Sequence, residues 1–298
     1  MTQMHEDQVV VGEADVRRLL RAQAPRWADL PVRAVDDFGT DHALFRLGAD
    51  LVARMPIRPG GGTQAVWEAE WLPRLQPDLP LRLSVPMLLG EPDEDYPLRW
   101  SVHPWLPGRA PTREELDTPE HASRLAGFIR ALQRCPAGGA GLTGSRGLPL
   151  QGEQGEDRDR LTRAALSRIG DLVDSGAAEA VWQDGVDAPP WSGPGVWFHG
   201  DLQPGNVLLE DGRLGAVLDW GCPGVGDPAC ELAVAWNTFG PGPRADLRAE
   251  LDVDEDTWRR GRAWAVSVAA MEVDYYRLSV PAFRDRSVRA IEQVLAGA

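Results

Sequence analysis

Three polar residues stand out by type and spacing: Asp201, Asn206 and Asp219. Asp201 and Asn206 lie five apart in a polar loop, His199 to Asn206, entered from the short apolar run Val196 to Phe198. Two further apolar runs follow, Val207 to Leu209 and Leu214 to Leu218, joined by Asp211-Gly212. That dipeptide suits a two-residue hairpin turn, and Asp219 closes the second run. One carboxylate can orient a hydroxyl and take its proton. An amide oxygen and a second carboxylate offer the hard oxygen ligands that Mg²⁺ prefers. Such a set suits phosphoryl transfer from a nucleotide, where a protein mainly positions and neutralises charge.

The interval from Asp201 to Asn206 matches that between Asp and Asn of the kinase catalytic loop, and Asp219 stands where the metal-binding Asp of the DFG sequence would stand. The runs His199-Gly-Asp-Leu-Gln-Pro-Gly-Asn206, Leu218-Asp-Trp-Gly221 and Gly226-Asp-Pro228 together resemble the aminoglycoside phosphotransferase family, which includes macrolide kinases. The resemblance is tight over 196–231 and looser over about 30–275. It implies an α+β, protein-kinase-like bilobal fold: an N-terminal nucleotide-binding lobe, 1–102, with a small antiparallel sheet, and a mainly helical catalytic and acceptor-binding lobe, 103–298.

The same resemblance implies roles. Asp201 accepts the acceptor's proton; Asn206 and Asp219 hold Mg²⁺; ATP or GTP is the donor. Arg54 stands where the family's strand lysine grips the nucleotide phosphates, with Glu68 as its helix partner and Glu70 as the rival. Backbone groups of Ser101, Val102 and His103 would meet the purine edge. His199 and Asp227 would support the loop, Asp227 also as the cap of a helix opened by Pro228. The turn Gly39-Thr40-Asp41-His42 would cover the phosphates. Glu231, Trp236, Glu272, Asp274 and Tyr275 are candidates to line the acceptor pocket. Carboxylates suit an amine-bearing aminoglycoside, and aromatics suit a macrolide. The expected partner is thus a small-molecule acceptor, with an antibiotic-resistance enzyme as the obvious member and a metabolic kinase equally compatible.

Composition narrows the alternatives. The chain has 298 residues and a net charge of −14, and an acidic surface repels nucleic acid. All 31 basic residues are arginine, which excludes a Walker A loop, since that loop needs lysine. The Gly-rich run Ala137 to Ser145 therefore reads as a flexible loop. No apolar run approaches the roughly 20 residues that span a bilayer, and the polar Met1 to Gln8 does not resemble a secretory signal. Cys135, Cys222 and Cys230 have no metal-ligand spacing and cannot all pair, which favours a reducing cytoplasm. A monomer or weak dimer is expected by family habit. Arginine in place of lysine at position 54 motivates one competing reading, a non-catalytic nucleotide-binding scaffold. A metal-dependent phosphoesterase is another, but it lacks a second ligand cluster.

The elements that must position these residues follow from hydrophobic periodicity. Helices are predicted over 12–24, 63–75, around the stripe Leu125, Phe128, Ile129 and Leu132, along Leu161, Ala165, Ile169, Leu172 and Val173, and over 256–277 and 285–295. Strands are predicted over 32–38, 43–47, 51–55, 83–89 and 98–103. Loops are expected over 136–155 and 183–195.

Overall fold

A computed structural model describes residues 8–35 and 41–297. Two compact units emerge: the chain through Pro77 with Leu81–Gly108 and Ala216–Gly221, and the remainder. The first unit therefore extends past residue 102 and includes the segment carrying Asp219.

In the first unit, helix α1 (Glu13–Gln23) buries Val16, Leu19 and Leu20. They pack on strands β1 (Val32–Ala34), β2 (His42–Leu47) and β3 (Leu51–Pro56). Each large aliphatic side chain so buried contributes about 1.5–3 kcal/mol. Gly39 and Thr40 of the expected phosphate-covering turn, and the end of the first predicted strand, lie outside the described residues. Helix α2 (Pro59–Leu75) begins four residues before the predicted start. Pro59 suits a first helical position, and Gly61 is needed because a Cβ there would come within 2.8 Å of Pro56.

The strand predicted over 83–89 is two pieces, β4 (Arg82–Leu83) and β5 (Leu88–Gly90), split around Pro86, which cannot donate to a ladder. β6 (Trp100–Pro104) completes an antiparallel sheet of order β1-β2-β3-β6-β5. β4 instead runs parallel to Ala216 and Val217.

The second unit is mainly helical. Helices α3 (Arg113–Leu116) and α4 (Pro119–Arg134) come first, and α4 buries the predicted Leu125, Phe128, Ile129 and Leu132. α5 (Glu153–Arg168) ends before Leu172 and Val173, and Leu161 is exposed. The apolar stripe misleads there because the buried face carries polar groups that find partners. Arg158 lies over the Trp264 ring and Thr162 meets Ser267 at 2.6 Å. α6 (Ser175–Asp187) occupies part of an expected loop. Its Gly185 resembles a breaker, yet a Cβ there would lie 2.3 Å from that of Ala263, so the glycine permits close helix packing.

β7 (Val196–Phe198) leads into the polar loop; β8 (Val207–Glu210) and β9 (Arg213–Val217) form the hairpin. Asp211 and Gly212 both have positive φ, as a type I′ turn requires. β9 passes from the second unit to the first at Ala216. β10 (Gly224–Gly226) pairs antiparallel with β7. A 3₁₀ turn (Pro228–Ala233) continues into α7 (Val234–Asn237). α8 (Pro241–Leu251), outside the predicted helices, opens on Pro241. α9 (Glu255–Tyr276) packs against α5, α6, the 3₁₀ turn and α10 (Pro281–Ala296). α10 starts four residues before its predicted limit.

Candidate functional site

In the first unit the strand arginine and the helix glutamate meet. Arg54 on β3 donates through Nη1 to both carboxylate oxygens of Glu68 on α2, at 2.8 and 2.9 Å. Their side chains are 11% and 1% exposed. Burial disfavours the Arg54 charge, but Glu68 and Asp219 outweigh it and hold the guanidinium firmly protonated. Burial in turn pushes the Glu68 carboxyl upward against the pull of Arg54. The rival Glu70 is half exposed and faces Arg74 instead.

Asp219 joins this cluster. Arg54 Nη2 lies 3.4 Å from its Oδ1, and Gln64 Nε2 donates to the same oxygen at 2.9 Å and to Glu68 at 2.9 Å. Gln64 escaped the sequence reading. The available signal was its position one turn before Glu68, which places both on one helix face. Asp219 has φ 57°, an uncommon conformation that Asp tolerates better than most residues. Such backbone is retained where surrounding contacts over-determine it.

Ser101, Val102 and His103 lie within β6. Their backbones pair with β3, and Ser101 and Val102 pair with β5 as well. The Val102 carbonyl also accepts from Met87 at 2.7 Å. Ser101 and Val102 are paired on both edges and have spent their ladder groups there, so the purine-facing backbone is not theirs; the chain leaves the sheet only after Pro104. The His103 ring is fully buried between Ser84 and Ser101. Burial and the nearby Arg54 charge keep it neutral.

The second unit holds the polar loop. Asn206 Nδ2 donates to the Asp201 carbonyl at 2.8 Å and to its Oδ2 at 2.9 Å. Gln203 donates to the same Oδ2 at 3.0 Å. His199 is buried, and its Nδ1 accepts from the Asp201 amide at 3.2 Å, so the ring shapes the loop. Gly200 has φ 77°, and a Cβ there would strike the Cys222 carbonyl.

Glu231 is 2% exposed and accepts from the amides of His199 at 2.5 Å and Gly200 at 3.1 Å. Burial pushes its carboxyl up to about 7, although both amides and Arg146 pull it down. Its place is beneath the loop rather than on an open surface. Asp227 caps the 3₁₀ turn through Ala229 and pairs with Arg260 at 2.8 Å, both nearly inaccessible.

The other acceptor candidates scatter. Trp236 is buried against Trp258. Glu272 accepts from Arg286 and Ser287, and Asp274 is bound by Arg168 through three contacts of 2.6–3.0 Å. Tyr275 is exposed and packs edge-on to Tyr276. Burial withdraws Glu231 and Trp236 from any acceptor surface.

Taken separately, Asn206 in the second unit and Asp219 in the first carry hard oxygen donors of the kind Mg²⁺ prefers. The Asn206 nitrogen is turned toward Asp201, so its carbonyl oxygen is the atom that could meet a cation, and Asp219 carries a carboxylate. Among the described residues, no cluster of three or more His, Cys, Asp or Glu side chains could hold a metal by itself. The family model described as the phosphotransferase enzyme family matches residues 36–264. The chain belongs to that family.

A curated member, an aminoglycoside 3′-phosphotransferase of Escherichia coli, is 25% identical over 182 residues. That alignment covers 60% of this chain and 64% of the relative, a little under two thirds of the relative's length. Solved structures show the same kinase-like fold. The GDP and kanamycin complex of APH(2″)-IIIa superposes with a TM-score of 0.72 at 17% identity, covering 95% of this chain and 98% of that one. Macrolide 2′-phosphotransferase MphH from Brachybacterium faecium gives 0.62 at 22% identity, covering 93% and 98%.

Proposed function

We propose that this chain is a small-molecule O-phosphotransferase. It transfers the γ-phosphate of ATP or GTP to a hydroxyl of an aminoglycoside, a macrolide or a related metabolite. The observation that carries the reading is the loop around Asp201: two amides hold one carboxylate oxygen, and the buried Glu231 holds the backbone that presents it.

The acceptor's hydroxyl oxygen attacks the γ-phosphorus and forms the new P–O bond. The bond from that phosphorus to the β–γ bridging oxygen breaks, and the nucleoside diphosphate leaves with its electron pair. The hydroxyl proton passes to Asp201. Arg54, oriented by Glu68 and Gln64, binds the phosphate chain; a guanidinium does so as a planar fork where an ammonium would act as a point charge. Mg²⁺, when bound, neutralises phosphate charge, and Asn206 and Asp219 would hold it.

Support for these classes comes from family membership and from the aminoglycoside and macrolide phosphotransferases that the chain resembles. The backbone beyond Pro104 is the region we assign to the purine. The scaffold alternative rests on the missing lysine, and Arg54 already makes the ion pair that a lysine there would make. No helix among the described residues is long and apolar enough to cross a membrane. With Cys135, Cys222 and Cys230 not joined in a disulfide, we assign the enzyme to a reducing cytoplasm, as a monomer or weak dimer.

The test is nucleotide consumption with Mg²⁺, using ATP and GTP against kanamycin, gentamicin, streptomycin and a macrolide, with Asp201→Ala as control. Turnover with one acceptor class, lost in the variant, is the expected result. Failure to bind either nucleotide would overturn the proposal.

A further inference from the structure

Arg146 was not singled out by any motif, yet it is the cation beside Asp201 in the second unit. Its Nη2 lies 3.4 Å from Asp201 Oδ1, and its Nη1 donates to the Gly200 carbonyl. The side chain is 17% exposed. Its segment is anchored rather than flexible, contrary to what the Gly-rich composition suggests. Thr143 Oγ1 donates to the Pro223 carbonyl at 2.6 Å, and the Gly147 carbonyl accepts from the Asp227 amide at 3.1 Å. Gly147 has φ 75°, and a Cβ on it would lie 2.3 Å from the Phe198 ring. The residue next to Arg146 is therefore locked against β7, the strand that leads into the loop.

We infer that Arg146 is a positioning residue for Asp201: it ties the reacting carboxylate and the Gly200 carbonyl to the anchored 142–147 segment. Asp201 Oδ2 already takes two amide donors, close to the capacity of one oxygen. A substrate hydroxyl is thus directed to Oδ1, the oxygen that Arg146 holds. The Arg146 charge also lowers the Glu231 carboxyl, while Asp201 raises it. Other titratable groups that act on Arg146 are the Cys222 and Cys230 thiols, Glu272, bound by Arg286, and Arg158, over Trp264.

The inference rests on Asp201 being the proton acceptor, so the experiment separates the two. Full-length wild type, Arg146→Lys, Arg146→Gln and Asp201→Ala are compared for Mg²⁺-dependent transfer from ATP and GTP to kanamycin, a macrolide and water, and crystal structures of the wild type and both Arg146 variants are solved. Misplacement of the reacting group by about 1 Å costs roughly 10²-fold. Arg146→Gln is expected to lose about that much kcat with nucleotide KM unchanged, with Arg146→Lys recovering part of it. The Asp201 carboxylate should rotate in the Gln variant and stay in place in the Lys variant. An inactive Asp201→Ala beside a fully active Arg146→Gln would overturn this inference alone. An active Asp201→Ala would overturn the reading beneath it. If no probe is phosphorylated, an unmoved Asp201 in crystalline Arg146→Gln overturns the inference.

Discussion

A single buried ion pair shows how much one residue can carry. Arg54 and Glu68 are nearly inaccessible and share two hydrogen bonds. Such a pair adds little net stability, but removing one partner strands the other charge at a cost of about 3–5 kcal/mol. Glu68→Ala should lie toward the lower end, because Asp219 still faces Arg54. The check is a chemical denaturation curve beside wild type; an unchanged midpoint would show that the guanidinium finds water or another acid. Arg54→Lys keeps the charge but loses the fork, so nucleotide KM should rise several-fold while kcat changes less. Equal loss in both parameters would contradict a role in ground-state phosphate binding. The resemblance pointed to Arg54 and Glu68, which the structure pairs, and loop spacing pointed to Asp201 and Asn206, which it brings into hydrogen-bond contact. Arg146 was not legible, since a partner 55 residues away leaves no local pattern; Gln64 had only its spacing from Glu68 to mark it, and its contact with Asp219, 155 residues away, shows only in the fold.

Packing between elements explains most of the errors at the next scale. Gly185 and Gly147 look like loop punctuation, yet each sits where a neighbouring side chain touches the backbone. Gly185→Ala would force the α6 and α9 backbones apart. Overpacking of this kind costs about 1–3 kcal/mol, which exceeds the helix-propensity gain of about 1 kcal/mol that alanine brings. A lower melting temperature is expected, and a higher one would mean that α6 and α9 are not in such close contact. The same logic applies to the 3₁₀ turn after Asp227. The sequence cue was the cap, and the structure adds Arg260 from α9, buried against it. Helix α8 and the early starts of α2 and α10 share one feature: proline opens each helix, where its missing N–H is not needed.

For the molecule as a whole, Glu231 links acidity to stability. Its carboxyl is raised from about 4.5 to about 7 in the folded chain. Between those values the folded protein keeps a proton that the unfolded chain releases, so this group's contribution to stability falls as pH rises through that window. Urea unfolding at pH 5 and pH 8 should therefore show a larger loss of stability in wild type than in Glu231→Gln, whose side chain does not titrate. Parallel behaviour of the two proteins would contradict the assignment. The amide variant also has a cost at either pH, because its nitrogen cannot accept from a loop amide that the carboxylate oxygen now serves.

Chemistry-bearing residues were readable in one dimension, because a catalytic loop, a hairpin and a capped turn are short-range objects whose spacing reflects backbone geometry. The antiparallel character of the sheet also followed from the resemblance that the motif supports, whereas its strand order came from the structure. What lay beyond the sequence was where those residues face. Burial decided that Glu231 and Trp236 belong under the loop and in the core rather than on an acceptor surface. Ladder pairing decided that Ser101 and Val102 have no backbone to offer a purine. Long-range packing placed a cation from an apparent linker beside Asp201. Each of these depends on contacts between segments far apart in the chain, and those contacts exist only after the chain has folded.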